Sequence, residues 1–253
     1  MKLRLILLPT ASLAAMLALW ELAVFALEIP AYLLPAPSRV WSAAVDIAAV
    51  LPRHIMATLV TVLSGFALSA AISIPLGVGL SINKTVSEAL YPLLVFANAV
   101  PVIAVAPIIV VMFGTGLESR LVITLMVCFF PIMVATATGI LDTPREYLDL
   151  GKSTGASFAT ELLTIRMPHA APFIFSGLKI GISLSVIGAV VGEFITSQKG
   201  LGFLIVSATT NFDLAQAIAS VVALALMSVV LYQIVQQVQK FWLPWSIKAE
   251  SMT

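Results

Sequence analysis

Six long stretches of the chain are nearly free of charged residues and are separated by short polar segments: residues 5–27, 55–82, 89–113, 121–141, 170–194 and 214–238. A hydrocarbon core about 30 Å thick is crossed by about 20 apolar residues in a helix, which satisfies its backbone groups internally where an open strand cannot. Each stretch therefore predicts a transmembrane helix. The fold class is all-α, a polytopic membrane bundle of six helices in one transmembrane domain over 1–253. The third stretch holds Pro92, Pro101 and Pro107; proline removes a helix donor and clashes with the preceding turn, so this span is expected to be kinked or broken. The first follows Lys2 and Arg4 and so imitates a signal peptide. Its apolar run is too long for a typical signal core, and no small-x-small site closes it, so it reads as a retained helix.

Composition removes the soluble alternatives. Of 253 residues 60% are hydrophobic and 10% charged, and the mean hydropathy is +1.10. A water-soluble surface takes about 25% charged residues. Disorder needs low hydrophobicity and high net charge, and nucleic-acid binding needs a basic field, which a formal charge of +1 does not supply. The single cysteine, Cys128, lies in an apolar run, so neither an intrachain disulfide nor a cysteine zinc site is available.

The basic residues orient the bundle. With the N terminus inside, Lys2, Arg4, Lys84, Arg145, Lys152, Arg166, Lys240 and Lys248 face the cytoplasm, against Arg39, Arg53, Arg120 and Lys199 outside, with Lys179 inside a span. Eight against four favours cytoplasmic N and C termini. Trp242 and Trp245, bracketing Pro244, suit an aromatic belt at the inner interface. The proline-rich outer segment from Leu33 to Trp41 turns into an amphipathic helix through Val50, expected along the membrane surface.

The loop 142–169 is the longest polar segment placed inside. It reads as two short helices: Thr143 caps the first, Pro144 fits its first turn and Glu146 completes a capping box; Gly155 breaks the chain, Ser157 starts the second, and Pro168 ends it. Phe158, Leu162 and Ile165 share one face of the second helix. Such a face either docks in another protein's groove or folds back on the inner ends of the spans, and periodicity leaves both open. Gly151-Lys152-Ser153 imitates the end of a phosphate-binding loop, but Glu146 stands where that loop needs glycine and no strand precedes it, so no nucleotide site is expected.

The spacing Asp149-Leu150-Gly151, three residues, Gly155, nine residues, Ile165-Arg166-Met167-Pro168 resembles the cytoplasmic signature of the permease subunits of binding-protein-dependent ABC importers: Glu-Ala-Ala, three residues, Gly, nine residues, Ile-x-Leu-Pro. Leu150 replaces the first Ala and Met167 the Leu. Across residues 33–245 the likeness extends to the nitrate, sulfonate and taurine branch through Leu34-Pro35-Ala36-Pro37-Ser38, Ile74-Pro75-Leu76-Gly77, Val100-Pro101 to Pro107, Phe113-Gly114-Thr115-Gly116, Gly192-Glu193-Phe194 and Gly200-Leu201-Gly202-Phe203.

The resemblance implies a type I importer permease in a bacterial inner membrane, paired with a second copy. It implies two ATPase subunits on the cytoplasmic side, which hold ATP and Mg, and an extracytoplasmic solute-binding protein. This chain would then be non-catalytic and without a cofactor of its own. The resemblance carries ATPase coupling onto Glu146, Asp149, Gly151, Gly155, Ala156, Phe158, Glu161, Leu162, Ile165 and Pro168. The solute it implies is small and anionic, of the nitrate, sulfonate, taurine, bicarbonate, aromatic-acid or vitamin-precursor classes.

Within the spans, Gly177, Gly181, Ser185, Gly188 and Gly192 recur every three or four residues, as do Thr58, Thr61, Gly65, Ser69 and Ser73. Stripes of this kind read first as close helix packing. The pathway or gate candidates are Asn98, Pro101, Lys179, Ser185 and Glu193: an amide beside a proline break, two ionisable groups in one span, and a hydroxyl in its smooth face. Lys179 is near enough to the inner surface to snorkel, and Glu193 sits at the outer end. His54 and His169, at opposite span ends, cannot share a metal and read as interfacial hydrogen-bonding groups. The alternative functions are a self-contained carrier or channel driven by an ion gradient, which would want ionisable residues at mid-membrane, and an intramembrane enzyme, which would want a nucleophile and base, paired carboxylates or metal ligands.

Overall fold

The structure, a computed structural model, describes residues 2–82, 84–196 and 198–245. Lys248 lies outside the described residues. The elements are α1 (Lys2–Ala26), α2 (Pro37–Asp46), α3 (Leu51–Ile82), α4 (Lys84–Ala99), α5 (Val102–Phe113), α6 (Leu117–Leu141), α7 (Arg145–Ser153), α8 (Phe158–Glu161), a π-type turn (Leu162–Arg166), α9 (Met167–Thr196), α10 (Leu201–Thr210) and α11 (Leu214–Trp242). No strand is present among the described residues. Among the described residues five helices are long and apolar enough to cross a membrane, and α4 with α5, bent by 94°, makes a sixth if the pair is one span. The bend falls at Val100 and Pro101, where the proline breaks the helix.

The centre of the bundle is α3, α6 and α9, with α10 and α11 against α9 and α5 against α6. The small-residue stripes are what bring these helices together. A Cβ on Gly188 would lie 2.7 Å from Thr124 Cα, one on Gly65 2.5 Å from Thr124 Cγ2, and one on Gly177 2.7 Å from Ala135 Cβ. Lipid gives apolar helices no hydrophobic reason to associate, so contact this close supplies the dispersion that holds them. Thr58, Thr61, Ser69 and Ser73 on α3 are fully buried in the same way. Around these seams Val62, Ile182, Val186, Leu201 and Leu231 form one apolar core cluster, and Ile140, Ala170 and Ile174 another nearer the 142–169 loop.

Helix α1 stands outside this core. From Leu7 onward only Val24 of α1 is buried, and the helix meets α2. Their junction is specific: Glu21 Oε2 accepts from Ser38 N at 3.0 Å and Oε1 from Ser38 Oγ at 2.6 Å. The first residues of α2 have no side-chain cap of their own, so a carboxylate from another helix satisfies an orphan donor and complements the helix dipole. Helix α2 stops at Asp46, four residues short of the expected Val50, and exposes Trp41 and Val45.

Two sequence expectations about the 142–169 loop are corrected. Thr143 does not cap α7; its Oγ1 donates to Ile140 O at 2.9 Å, and Pro144 occupies the cap position without a side-chain bond. The end of α6 claims the hydroxyl first. Nor does Pro168 end the second loop helix: it lies in the first turn of α9, and helix runs unbroken from Phe158 to Thr196. The wider π-type turn just before it, closed by Met167 N donating to Leu162 O, leaves room for a ring that would collide with a regular preceding turn.

Candidate functional site

The loop residues build a knob at one end of the bundle. Helix α7 closes in a Schellman arrangement: Gly155 N donates to Lys152 O at 3.0 Å and Ala156 N to Gly151 O at 2.9 Å, with Gly155 at φ +75°. Ser157 Oγ then accepts from Thr160 N at 3.2 Å and opens α8. Gly151 is buried because Ile165 presses on it; a Cβ there would come within 2.8 Å of Ile165 Cδ1. Two sharp caps thus fix the angle between α7 and α8.

The shared apolar face expected for Phe158, Leu162 and Ile165 splits in two. Leu162 packs beside Ile140, Ala170 and Ile174 and Ile165 on Gly151, while Phe158 stays 53% exposed. The π-type turn between them shifts the helical register, which a constant 3.6-residue period does not anticipate. Exposed with Phe158 are Tyr147, Leu150 and Leu163. Glu161 is buried, its Oε1 accepting from Arg166 Nε at 2.7 Å and Nη2 at 2.5 Å. Glu146 and Asp149 are exposed, and Asp149 lies 3.8 Å from Lys152. Pro168, His169 and Trp245 line an open cleft of about 600 Å³ with Tyr147 and Leu150, so the end of α11 lies on the same side as the knob. His169 Nε2 pairs with Asp142 Oδ2 at 3.3 Å.

The opposite end carries a polar node. Glu193 is 1% exposed; its Oε2 accepts from Thr58 Oγ1 at 3.0 Å and from Gly202 N at 2.8 Å. Thr58 Oγ1 in turn accepts from Leu201 N at 2.8 Å. His54 Nδ1 accepts from Gly200 N at 3.0 Å, and its ring stacks on Phe203 at 6.0 Å. These four contacts dock the first turn of α10, whose leading amides have no helical partner. Gly200 has φ +124°, and a Cβ on it would fall inside the Glu193 carboxyl group. The node gathers the words Gly192-Glu193 and Gly200-Leu201-Gly202 into one site. Helix α10 is not among the six spans predicted from the sequence, because ten residues are too few to cross a bilayer.

The remaining pathway candidates lie apart. Ser185 is fully buried in the packing face and donates to Ile182 O at 2.7 Å. Lys179 is half-buried on α9. Asn98 and Pro101 are exposed at the α4–α5 bend, and Asn98 shares an open crevice of about 170 Å³ with Leu94, Met126, Phe129 and Phe130. The crevice lies level with the middle of α6.

The described bundle is that of a membrane transport subunit. The chain belongs to the family of binding-protein-dependent transport system inner membrane components, whose model matches residues 69–245. It is 34% identical to a probable ABC transporter permease protein of Haemophilus influenzae over 92% of this chain and 94% of that one. It is 33% identical to the formylaminopyrimidine transport permease protein ThiX of Halalkalibacterium halodurans (95% and 96%), and 27% identical to the taurine transport system permease protein TauC of Escherichia coli (89% and 84%). Among solved structures, a chain of the MetNI methionine ABC transporter in an inward facing conformation superposes with TM-score 0.63 at 17% identity, covering 76% of this chain and 98% of that one. The chain is therefore a multi-pass permease subunit of an ABC importer, and the family membership sets aside the free-standing carrier.

Proposed function

We propose that this subunit couples to a separate ATPase through the knob at Arg145–Arg166 and passes a small organic solute, delivered by an extracytoplasmic binding protein, along a pathway formed with a second copy of itself. The carrying observation is that Tyr147, Leu150, Phe158 and Leu163 are exposed on rigidly capped helices at one end of the bundle. Apolar side chains held on a preformed helical surface are suited to a partner's groove, because little ordering entropy is lost on docking. Gly155, Gly151 and Ala156 set the angle of the knob; the Glu161–Arg166 pair, Leu162 packed beside Ile140, Ala170 and Ile174, and Ile165 packed on Gly151 join it to α9, whose first turn holds Pro168, so that a push on the knob is delivered to a helix in the centre of the bundle. Glu146 and Asp149 form its polar rim.

In this reading ATP and Mg belong to the ATPase, this chain holds no nucleotide, and both termini face the cytoplasm with the knob. Asn98, Pro101 and Lys179 border the pathway, with Ser185 and Glu193 shaping the helices behind it. The relatives named for formylaminopyrimidine, riboflavin and taurine support a small polar organic solute of the anionic or vitamin-precursor class. Co-purification tests the coupling: the tagged wild-type chain is expected to retain its ATPase, and Leu163→Asp to lose it. Equal retention by both would refute the assigned docking surface.

A further inference from the structure

At the end of the bundle opposite the knob, a cavity of about 460 Å³ is lined by Arg53, Arg120 and Lys199. They come from three different places in the fold: the first turn of α3, the first turn of α6, and the link between α9 and α10. No acidic side chain shares the lining among the described residues. Arg120 is held from the bundle side, its Nε donating to Gly116 O at 3.3 Å. Met56 and Val60 make the wall apolar. An anion placed among three cationic side chains that line one cavity is attracted by all of them and can accept their hydrogen bonds. Guanidinium groups match the oxygens of phosphate, sulfonate or carboxylate in paired, charge-assisted bonds.

We propose that Arg53, Arg120 and Lys199 form an oxyanion-binding site, which takes the phosphate, sulfonate or carboxylate group of a small solute or of a lipid headgroup. In the topology proposed above this is the outer mouth of the permease; the inference rests on that reading only for the side of the membrane. The site gives an incoming anion a first station on the chain itself, beside the node that holds α10.

The test uses the full chain in nanodiscs of pure phosphatidylcholine and in nanodiscs containing phosphatidylglycerol, with inorganic phosphate as probe and calorimetric titration as readout. Saturable binding is expected in phosphatidylcholine, competed by methanesulfonate and not by chloride at equal ionic strength. Arg53→Gln/Lys199→Gln is expected to weaken it at least about tenfold; Arg120 is left intact because it donates to Gly116 O and packs on Gly192. Arg53→Gln alone, at an exposed side chain, serves if the double variant melts early, and a weaker loss is expected from it. Retention of phosphate binding in phosphatidylglycerol identifies a solute site, and its loss there identifies a headgroup site. Unchanged binding in the variants, or no saturable binding in either nanodisc, overturns the proposal. Since neither ATPase nor binding protein is needed, the outcome is independent of the importer assignment.

Discussion

Thr58 and Glu193 stand 135 positions apart in sequence, and the Thr58 hydroxyl donates to Glu193 Oε2 at 3.0 Å inside the bundle. Together they accept the amides of Leu201 and Gly202, so one hydroxyl and one carboxylate fix where α10 begins. Thr58→Val keeps the shape and removes the oxygen, leaving the Leu201 amide without its acceptor and Glu193 Oε2 with the Gly202 amide in place of two donors. A buried group left unsatisfied costs about 1–3 kcal/mol. Thermal unfolding of the purified chain is expected to show a clear loss for Thr58→Val and little change for Thr58→Ser; equal melting of the two would show that the node contributes nothing.

This node also marks where the sequence stopped being legible. The six spans, the break at Pro101 and the packing role of the glycine stripes were readable, because length, proline chemistry and helical period are local properties. The sequence places Glu193 at an outer span end as a gate candidate but does not show its burial, since its partners come from α3 and from a helix too short to register as a span. Pro168 was expected to terminate a helix and does not, because the π-type turn ahead of it is a backbone adjustment with no residue-level signature. The same turn moved Leu162 and Ile165 inward and left Phe158 out. The Glu21 cap on α2 was missed for the reason that hid the node: its donor lies 17 residues away on another element.

Helix contact through glycine makes a second expectation. A side chain on Gly188 meets Thr124 backbone, which cannot yield, whereas a Cβ on Gly79 meets nothing within 4 Å. Gly188→Leu is expected to destabilise the bundle by at least about 1–3 kcal/mol, and Gly79→Ala to melt at or slightly above wild type. Folded yields and melting temperatures of the pair check this directly; tolerance of leucine at 188 would mean that α6 and α9 do not pack as described.

Topology yields a third. Cys128 is fully buried, so it should stay silent to a membrane-impermeant maleimide, and single cysteines can report sidedness. Arg39→Cys, on α2, is expected to label in intact spheroplasts; Lys152→Cys, on the knob, only after the membrane is opened. Labelling of Lys152→Cys from outside would invert the orientation and place the proposed oxyanion site in the cytoplasm.

The coupling surface is tested most directly at Phe158, which is half-exposed on a capped helix and outside the packed core. A carboxylate there has to be desolvated on docking without an assured partner, a cost of a few kcal/mol at a well-packed contact. The measurement is solute uptake into proteoliposomes holding the assembled importer, made together with ATPase co-purification and a melting curve of the permease. The account predicts that Phe158→Asp melts like wild type while ATPase retention and uptake fall to background. Full ATPase binding and full uptake by Phe158→Asp would contradict it and remove the knob as the coupling element.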